Sequence, residues 1–321
     1  MVRHCAGADV KRLTAIDIGT NTILMLIADV SSNGDIRVIR DEHSIARLGK
    51  GVDEKKMILP ETFERVLNYL SAYKKIHDEE HSDQIFACGT SALRDAVNSH
   101  EFIEYVRAKL GFEISILSGD EEAQLTYLGG VSEFVDTGGA QPFAVIDIGG
   151  GSTEIVIGFG NAVTSTNSFD IGSVRLTERF LKSSPPPPVA LEEAQQYIRG
   201  HLHSLTQLSE GARCIGVAGT LTTLAAIDLQ LSVYDRERVS GHVLTLDAIE
   251  RIYGRLKGKQ LVELRAIPQI LPQRADIILA GILILKEVME KIGAVRITAS
   301  DRGLRYGILL RAAEGLAGNQ V

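Results

Sequence analysis

Two short turns in the sequence combine an aspartate with glycine, threonine, asparagine and serine, which are residue types that can surround a phosphate group. The first turn contains Asp17, Gly19, Thr20, Asn21 and Thr22, and the second contains Asp147, Gly149, Gly150, Gly151, Ser152 and Thr153. Small residues let backbone N–H groups approach an anion and hydrogen-bond to it. We therefore expect the two turns to bind phosphate oxygens from opposite sides.

The aspartates of these turns lie at the ends of isoleucine-rich segments. A carboxylate in an apolar strand has a high desolvation cost unless it is paired, protonated or bound to a metal, so Asp17 and Asp147 should face a polar cleft. One or two carboxylates together with phosphate oxygens and water are the usual environment of Mg²⁺. The sequence thus predicts Asp147 and Glu154 as metal ligands, either directly or through water.

Two further charged residues are candidates for catalysis. Ser118 and Glu121 fit a capping box at a helix start, which accounts for Glu121 without any function. The neighbouring Glu122 is not needed for the cap, so it is our preferred general base. Arg94 lies near a helix start, where a cation is disfavoured unless an anion is close, and we expect it to bind phosphate. Other basic residues could extend the positive charge of Arg94 into a basic track: Arg47, Lys50, Arg175, Arg274, Arg302 and Arg305.

The segments that carry these residues occur twice at a fixed separation. Asp17 aligns with Asp147, and Gly89 of a strand–Gly-Thr–helix segment aligns with Gly219, so that both pairs are 130 residues apart. Agreement between two independent motifs indicates two homologous halves. Each half then reads as three strands followed by alternating helices and strands, which predicts a mixed sheet with helices.

A third matching pair locates an insertion. Asp120 and Asp301 each follow a strand and precede a helix, but they are 181 residues apart, so about 51 extra residues belong to the second half. Helical periodicity places them at about 228–293. We expect domains at 1–135 and 136–321, with the boundary near Gly138–Gly139, and the last helix of each half can cross to the other domain.

The composition restricts the class of protein. The 41 acidic residues outnumber the 34 basic ones, and the net charge of −7 argues against nucleic acid or an acidic membrane as a partner. Three cysteines without CxxC spacing fit a reducing, cytoplasmic setting better than a disulfide framework. The richest aliphatic stretch, 277–285, is too short to cross a bilayer.

The motifs together resemble the exopolyphosphatase and guanosine pentaphosphate phosphohydrolase (Ppx/GppA) family, a branch of the actin-like ATPase superfamily. The resemblance covers most of the chain and includes AIDIGTNT from Ala15, GTSALRDAVN from Gly89, SGDEEAQLTYLGGV from Ser118, VIDIGGGSTEIVIG from Val145, DIGSVRLTERF from Asp170, RADIILAG from Arg274 and SDRGLRYG from Ser300. It implies an α/β fold of two ribonuclease-H-like domains, each with a mixed five-stranded sheet and a cleft between them.

The resemblance also implies a chemistry. In the family, a Mg²⁺-dependent attack by water removes the terminal phosphate of a phosphoanhydride chain. Glu122 aligns with the family's catalytic base and Arg94 with its phosphate-binding arginine. Asp147, Gly149 and Glu154 align with the phosphate and metal segment, and 17–22 with the first phosphate loop.

Some features depart from the family pattern. Gln269 and Ile270 replace the usual Gly-Leu, and Tyr306 replaces a usual glutamate. The chain also ends soon after the second domain, without the helical C-terminal region of longer members, which indicates a short form of the family.

The expected activity is release of orthophosphate from inorganic polyphosphate, and less directly from guanosine pentaphosphate. A homodimer is compatible with this reading. Two alternatives remain at this point: an ATP-dependent small-molecule kinase of the same fold, and a non-catalytic regulator that binds polyphosphate or a nucleotide.

Overall fold

Each half of the chain forms one mixed sheet with helices packed on it. The computed structural model describes residues 10–32, 34–135 and 141–318. Among these residues, no helix is both long and apolar enough to cross a membrane.

The first sheet contains five strands in the order β3-β2-β1-β4-β5. The strands are β1 (Val10–Ile18), β2 (Ile23–Ser31), β3 (Ile36–Ser44), β4 (Gln84–Gly89) and β5 (Ile114–Ile116). The helices of this half are α1 (Val52–Lys55), α2 (Pro60–Glu79), α3 (Ser91–Asp95), α4 (Ser99–Leu110) and α5 (Gly119–Val131). Strands β1, β2 and β3 pair antiparallel, whereas β4 and β5 run parallel to β1 and to each other.

The second sheet repeats this order and adds one edge strand, giving β10-β11-β9-β6-β7-β8. Its strands are β6 (Pro142–Ile148), β7 (Thr153–Phe159), β8 (Ala162–Phe169), β9 (Arg213–Val217), β10 (Val243–Thr245) and β11 (Arg296–Ala299). Its helices are α6 (Ser173–Arg179), α7 (Pro188–His201), α8 (Ala218–Asp228), α9 (Arg236–Val239), α10 (Leu246–Leu256), α11 (Leu261–Arg265), α12 (Ile278–Ile292) and α13 (Leu304–Gly318).

The central strands of both sheets are buried on both faces. In β1 and β6 the runs from Leu13 to Ile16 and from Phe143 to Ile146 are completely or almost completely inaccessible. Continuous aliphatic runs are typical of strands covered by helices on both sides. The aspartate that follows each run is consequently delivered to the carboxyl end of a rigid, buried strand.

The last helix of each half packs on the sheet of the other half. In α5, Ala123 and Tyr127 belong to a core cluster with β6, β7 and β9, while α13 packs on β1 and β2. The two helices also touch each other, because a Cβ atom at Gly307 would lie only 1.8 Å from the carbonyl oxygen of Leu125. This contact between α5 and α13 links the two halves of the chain.

The predicted fold class is confirmed, and the second sheet has one strand more than predicted. Strand β10 is only three residues long, lies inside the segment 228–293 that helical periodicity dominates, and pairs antiparallel with β11. Three residues cannot show a two-residue alternation that sequence analysis could recognise. The expected domain boundary near Gly138–Gly139 lies outside the described residues.

Candidate active site

Both predicted turns border one cleft between the two sheets. The cleft encloses about 810 Å³, open solvent included. Its lining includes most of the predicted site residues: Asp17, Gly19, Thr20, Asn21, Thr22, Glu122, Asp147, Gly149, Gly150, Gly151 and Ser152. Residues predicted from separate motifs are therefore brought together in a single cavity.

The first turn presents backbone N–H groups to this cleft. The carbonyl oxygens of Thr20 and Asn21 accept hydrogen bonds from the backbone N–H groups of Gly49 and Arg47, both at 2.8 Å. In a planar trans peptide the carbonyl and the following N–H point in opposite directions. The N–H groups of Asn21 and Thr22 thus point away from the 47–49 segment and towards the cleft.

The second turn is oriented in the same way by α6. The carbonyl oxygen of Gly149 accepts from the N–H of Ser173 (2.9 Å), and that of Gly150 accepts from the N–H groups of Val174 and Arg175 (2.8 and 3.1 Å). The carbonyl of Gly151 accepts from Nε of Arg175 at 2.8 Å. Because three successive carbonyls face α6, the next three N–H groups, at positions 150–152, point away from α6, and the residues that carry them border the cleft.

The two turns are in direct contact. A Cβ atom at Gly150 would lie 2.9 Å from Cβ of Thr20, and one at Gly151 would lie 2.3 Å from Oγ of Ser91. At Gly150 the side chain of Thr20, and at Gly151 the side chains of Ser91 and Thr20, occupy the space that a Cβ atom would need. The turns consequently form two adjacent walls of one narrow part of the cleft.

The carboxyl groups of the cleft repel one another. Burial, followed by repulsion from Glu122 and Asp147, raises the pKa of Asp17 to about 8. Burial and repulsion from Glu122 raise the pKa of Asp147 to about 7. Burial is the larger cause of both shifts and like-charge repulsion adds to it, so the cleft disfavours the charged forms of these carboxyl groups.

Glu121 and Glu122 have different environments, as the capping pattern predicts. Glu121 closes the capping box: its carboxylate accepts the N–H of Ser118 at 2.8 Å, and its own N–H donates to Oγ of Ser118 at 3.2 Å. Glu122 is buried and borders the cleft. Burial raises the pKa of Glu122, and the neighbouring Arg94 partly offsets this effect.

Three predicted site residues lie outside the cleft lining: Arg94, Thr153 and Glu154. Arg94 contacts the cleft through Glu122, with Nη1 at 2.5 Å from Oε2. The hydroxyl of Thr153 donates to the carbonyl of Ile171, so its side chain supports the turn. Successive residues of a strand point to opposite faces of the sheet, which separates Thr153 from Glu154.

Glu154 lies directly behind Asp147. The two residues are opposite each other in the β6–β7 pair, so their side chains share one face of the sheet with Cβ atoms about 5 Å apart. Glu154 is completely buried and accepts a hydrogen bond from Oγ of Ser168 at 2.8 Å. Burial, with repulsion from Glu122 and Asp147, raises the pKa of Glu154 well above its usual range.

Within the part of the chain that the structure describes, no group of three or more His, Cys, Asp or Glu side chains could hold a metal ion. A cation that is held by one or two carboxylates and completes its coordination with water and phosphate oxygens does not need such a group. Asp147 is the predicted ligand that reaches the cleft.

Of the six basic residues expected to extend the track, only Arg274 borders the cleft. Its Nη2 donates to Nε2 of His43 at 2.9 Å. Burial, followed by the positive charges of Arg274 and Arg305, lowers the pKa of His43 to about 3, so the ring is neutral and can accept. Burial lowers the pKa of Arg274 to about 10, and this side chain still carries its charge at neutral pH.

Ser91 also borders the cleft, although the sequence motifs did not indicate it as a site residue. Its hydroxyl is buried beside Gly151 and has no hydrogen-bond partner among the described residues. A buried hydroxyl without a partner that borders the cleft is available to a ligand. Its position directly after the Gly89-Thr90 turn, which matches Gly219-Thr220 in the second half, is the signal that could have identified it.

Comparison with known proteins gives consistent matches over nearly the whole chain. Residues 26–315 match the model of the Ppx/GppA phosphatase family. Exopolyphosphatase 2 of Mycobacterium tuberculosis is 35% identical over 318 residues, covering 94% of this chain and 98% of that protein. A guanosine-5'-triphosphate,3'-diphosphate pyrophosphatase of Photobacterium profundum is 27% identical over 300 residues, covering 92% and 58%.

Solved structures agree with these matches. A Ppx/GppA family member of Aquifex aeolicus superposes with a TM-score of 0.81 at 31% identity, covering 98% of this chain and 100% of that one. An exopolyphosphatase of Cytophaga hutchinsonii gives a TM-score of 0.86 at 29% identity, covering 95% and 98%.

Proposed function

Because the chain belongs to the Ppx/GppA phosphatase family, we propose that it hydrolyses the terminal phosphoanhydride bond of inorganic polyphosphate and releases orthophosphate. Guanosine pentaphosphate is the second substrate of the proposal, since a relative that matches 92% of this chain is named for that nucleotide. The observation that carries the proposal is the convergence of two N–H-lined turns and the buried carboxylate of Glu122 on one cleft.

In the proposed reaction the terminal phosphoryl group lies between the two turns. The N–H groups of Asn21, Thr22 and residues 150–152 neutralise charge on its oxygens, and the hydroxyl of Ser91 adds a donor. Preorganised donors of this kind stabilise the transition state because they need no reorientation during the reaction. The guanidinium of Arg274 compensates charge further along the phosphate chain.

Glu122 is the proposed general base. Its carboxylate accepts a proton from a water molecule, the water oxygen bonds to the terminal phosphorus, and the bond from this phosphorus to the bridging oxygen breaks. The electron pair of that bond stays with the shortened phosphate chain. Arg94 holds the Glu122 carboxylate in place through the 2.5 Å ion pair.

Asp147 is the proposed ligand for a divalent cation, with Mg²⁺ as the first candidate. Glu154, which lies opposite Asp147 on β7, would bind the cation through water. When bound, such a cation supplies positive charge that neutralises phosphate oxygens. The raised pKa values of Asp17 and Asp147 favour this assignment, because a cation would relieve the repulsion among the cleft carboxylates.

The experiment is a phosphate-release assay on purified protein with tripolyphosphate, long-chain polyphosphate and guanosine pentaphosphate, each with Mg²⁺ and with excess EDTA. The proposal expects orthophosphate from at least one substrate and its loss with EDTA. Stoichiometric ADP from ATP and a small-molecule acceptor would favour the kinase alternative. Tight binding of all three compounds without phosphate release would favour the non-catalytic regulator.

A further inference from the structure

The side chain of Arg175 connects the second phosphate turn to the other half of the molecule. Arg175 lies in the first turn of α6 in the second half, and its Nε donates to the carbonyl of Gly151 at 2.8 Å. Its Nη1 and Nη2 pair with Asp53 of α1 and Asp95 of α3, both in the first half. One guanidinium therefore uses all three nitrogens to bind a turn of its own half and two carboxylates of the opposite half.

This side chain is shielded from solvent. Only 6% of it is exposed, and the paired Asp53 side chain is 12% exposed. Exposed ion pairs contribute little because water and salt screen them, whereas a shielded, multiply bonded guanidinium fixes the geometry of its partners. The position of Gly151 relative to α1 and α3 is thus strongly determined in this arrangement.

The hydrogen bond to Gly151 acts on a specific N–H group. The carbonyl of Gly151 and the N–H of Ser152 belong to one planar peptide unit and point in opposite directions. By holding the carbonyl, Arg175 directs the N–H of Ser152 into the cleft. The carbonyl of Gly150 is held by backbone N–H groups of α6, and that of Gly149 by the backbone N–H and the hydroxyl of Ser173. Of these three carbonyls, that of Gly151 is the one held by a side chain without a backbone N–H.

We propose that Arg175 is a positioning residue, which aligns the Ser152 N–H with the transferring phosphoryl group only when the two halves are in contact through Asp53 and Asp95. This inference rests on the proposed function. Asp95 directly follows Arg94, so the same contact also connects the second turn to α3, which carries Ser91. Closure of the cleft and alignment of its donors are then a single event.

Arg179 provides a matched control, since it lies one helical turn later on α6. It also pairs with Asp53, through Nε at 2.5 Å, but its remaining contact is with Tyr197 and it makes no bond to the turn. A substitution of Arg179 removes an ion pair with the same carboxylate without releasing Gly151. The two variants separate an effect on the turn from a general weakening of the interface.

The test measures kcat, KM and orthophosphate affinity for Arg175→Met and Arg179→Met. We expect kcat of Arg175→Met to fall at least tenfold, because loss of one aligned donor costs about 10²–10³ in kcat. Its orthophosphate affinity should fall about threefold, while Arg179→Met stays within about twofold of wild type. Millimolar guanidinium should partly restore the kcat of Arg175→Ala and leave that of the wild-type protein unchanged. An unfolded variant would not respond in this way.

Three outcomes would overturn the inference: a folded Arg175→Met protein with wild-type kcat, equal losses in both arginine variants, or no response to guanidinium. If Arg175→Met does not fold, Asp95→Asn decides, because it keeps the Gly151 bond but weakens the contact between halves. A loss of kcat in Asp95→Asn that is smaller than the tenfold expected for Arg175→Met supports the inference, and an unchanged kcat rejects it. If the wild-type protein is inactive on every substrate, the proposed function is rejected instead. The orthophosphate affinities of the variants then decide the role of Arg175.

Discussion

Arg94 and Glu122 form a direct ion pair, in which Nη1 of the arginine lies 2.5 Å from Oε2 of the glutamate. The same Nη1 also donates to the carbonyl of Leu117 at 3.0 Å. The arginine lies at the end of α3 and the glutamate in the first turn of α5, so the ion pair joins these two helices beside the cleft. Because only Glu122 borders the cleft itself, the two residues have separable roles.

The first prediction distinguishes the catalytic role of Glu122 from the capping role of Glu121. Glu122→Gln keeps the shape of the side chain but cannot accept a proton, so we expect kcat to fall about 10²–10⁴-fold with substrate affinity retained. Phosphate-release kinetics and calorimetric binding of tripolyphosphate measure the two effects.

Glu121→Gln is the matched control. It weakens the capping box, which should lower the free energy of unfolding slightly and leave kcat close to wild type. Equal losses of kcat in both variants would show that the base has been assigned to the wrong residue.

The second prediction concerns the pH dependence of the rate. Arg94 lowers the pKa of Glu122 against the effect of burial, so Arg94→Met should raise that pKa. A base with a higher pKa remains protonated up to a higher pH, and the acidic limb of the kcat/KM profile should move to higher pH. Rates from pH 5 to 9 measure this shift.

Arg107→Met is the control for the second prediction, because Arg107 pairs with Glu104 and Glu113 on an exposed helix surface. Its pH profile should match that of wild type. A profile of Arg94→Met that falls in rate without moving along the pH axis would contradict the assigned coupling between the two residues.

The sequence indicates the two repeated segments and their turns of small residues because these features are encoded locally. Asp17 and Asp147 follow continuous aliphatic runs, and the offset of 130 residues aligns the turns without any structure. The capping box likewise distinguishes Glu121 from Glu122 before coordinates are known, because it depends on residues three positions apart.

Other features depend on long-range packing, which local patterns do not encode. Arg274 is one of several arginines in the sequence, and it reaches the cleft because Gly219 leaves room: a Cβ atom there would lie 1.5 Å from Nη1 of Arg274. Ser91 becomes a site residue through its approach to Gly151 from the opposite half. Strand β10 is defined by its pairing with β11 rather than by its own three residues.

The third prediction tests the narrow space between the turns. Gly151→Ala places a methyl group 2.3 Å from Oγ of Ser91 and 2.9 Å from Oγ1 of Thr20, so one turn must move away from the other. We expect affinity for tripolyphosphate to fall at least tenfold, since the N–H groups on the two sides can no longer bind one phosphoryl group together. Isothermal calorimetry measures the affinity.

Gly258→Ala is the control for this variant, because nothing lies within 4 Å of the added Cβ atom. It should bind tripolyphosphate as wild type does. Wild-type affinity in Gly151→Ala would mean that the contact between the turns has no part in binding.

The fourth prediction follows from the charge of the cleft. Burial raises the pKa of Asp17 in the folded protein from 3.8 to about 8, so the folded state binds the proton more tightly than the unfolded state does. Stability from this proton is complete below pH 4 and is lost as the pH rises towards 8. Asp17→Asn should therefore raise the melting temperature of the ligand-free protein at pH 8 by about 5 °C, with a smaller gain at pH 5.

Asp29→Asn should have the opposite effect and serves as the comparison. Hydrogen bonds and charges from Arg12 and Arg37 lower the pKa of Asp29, so its ionised form stabilises the folded state above about pH 4, and this stability is lost at lower pH. The variant should melt below wild type at pH 8, and the difference should shrink towards pH 3. Thermal unfolding across this pH range measures both curves, and a decrease for Asp17→Asn at pH 8 would mean that the cleft does not store unfavourable negative charge.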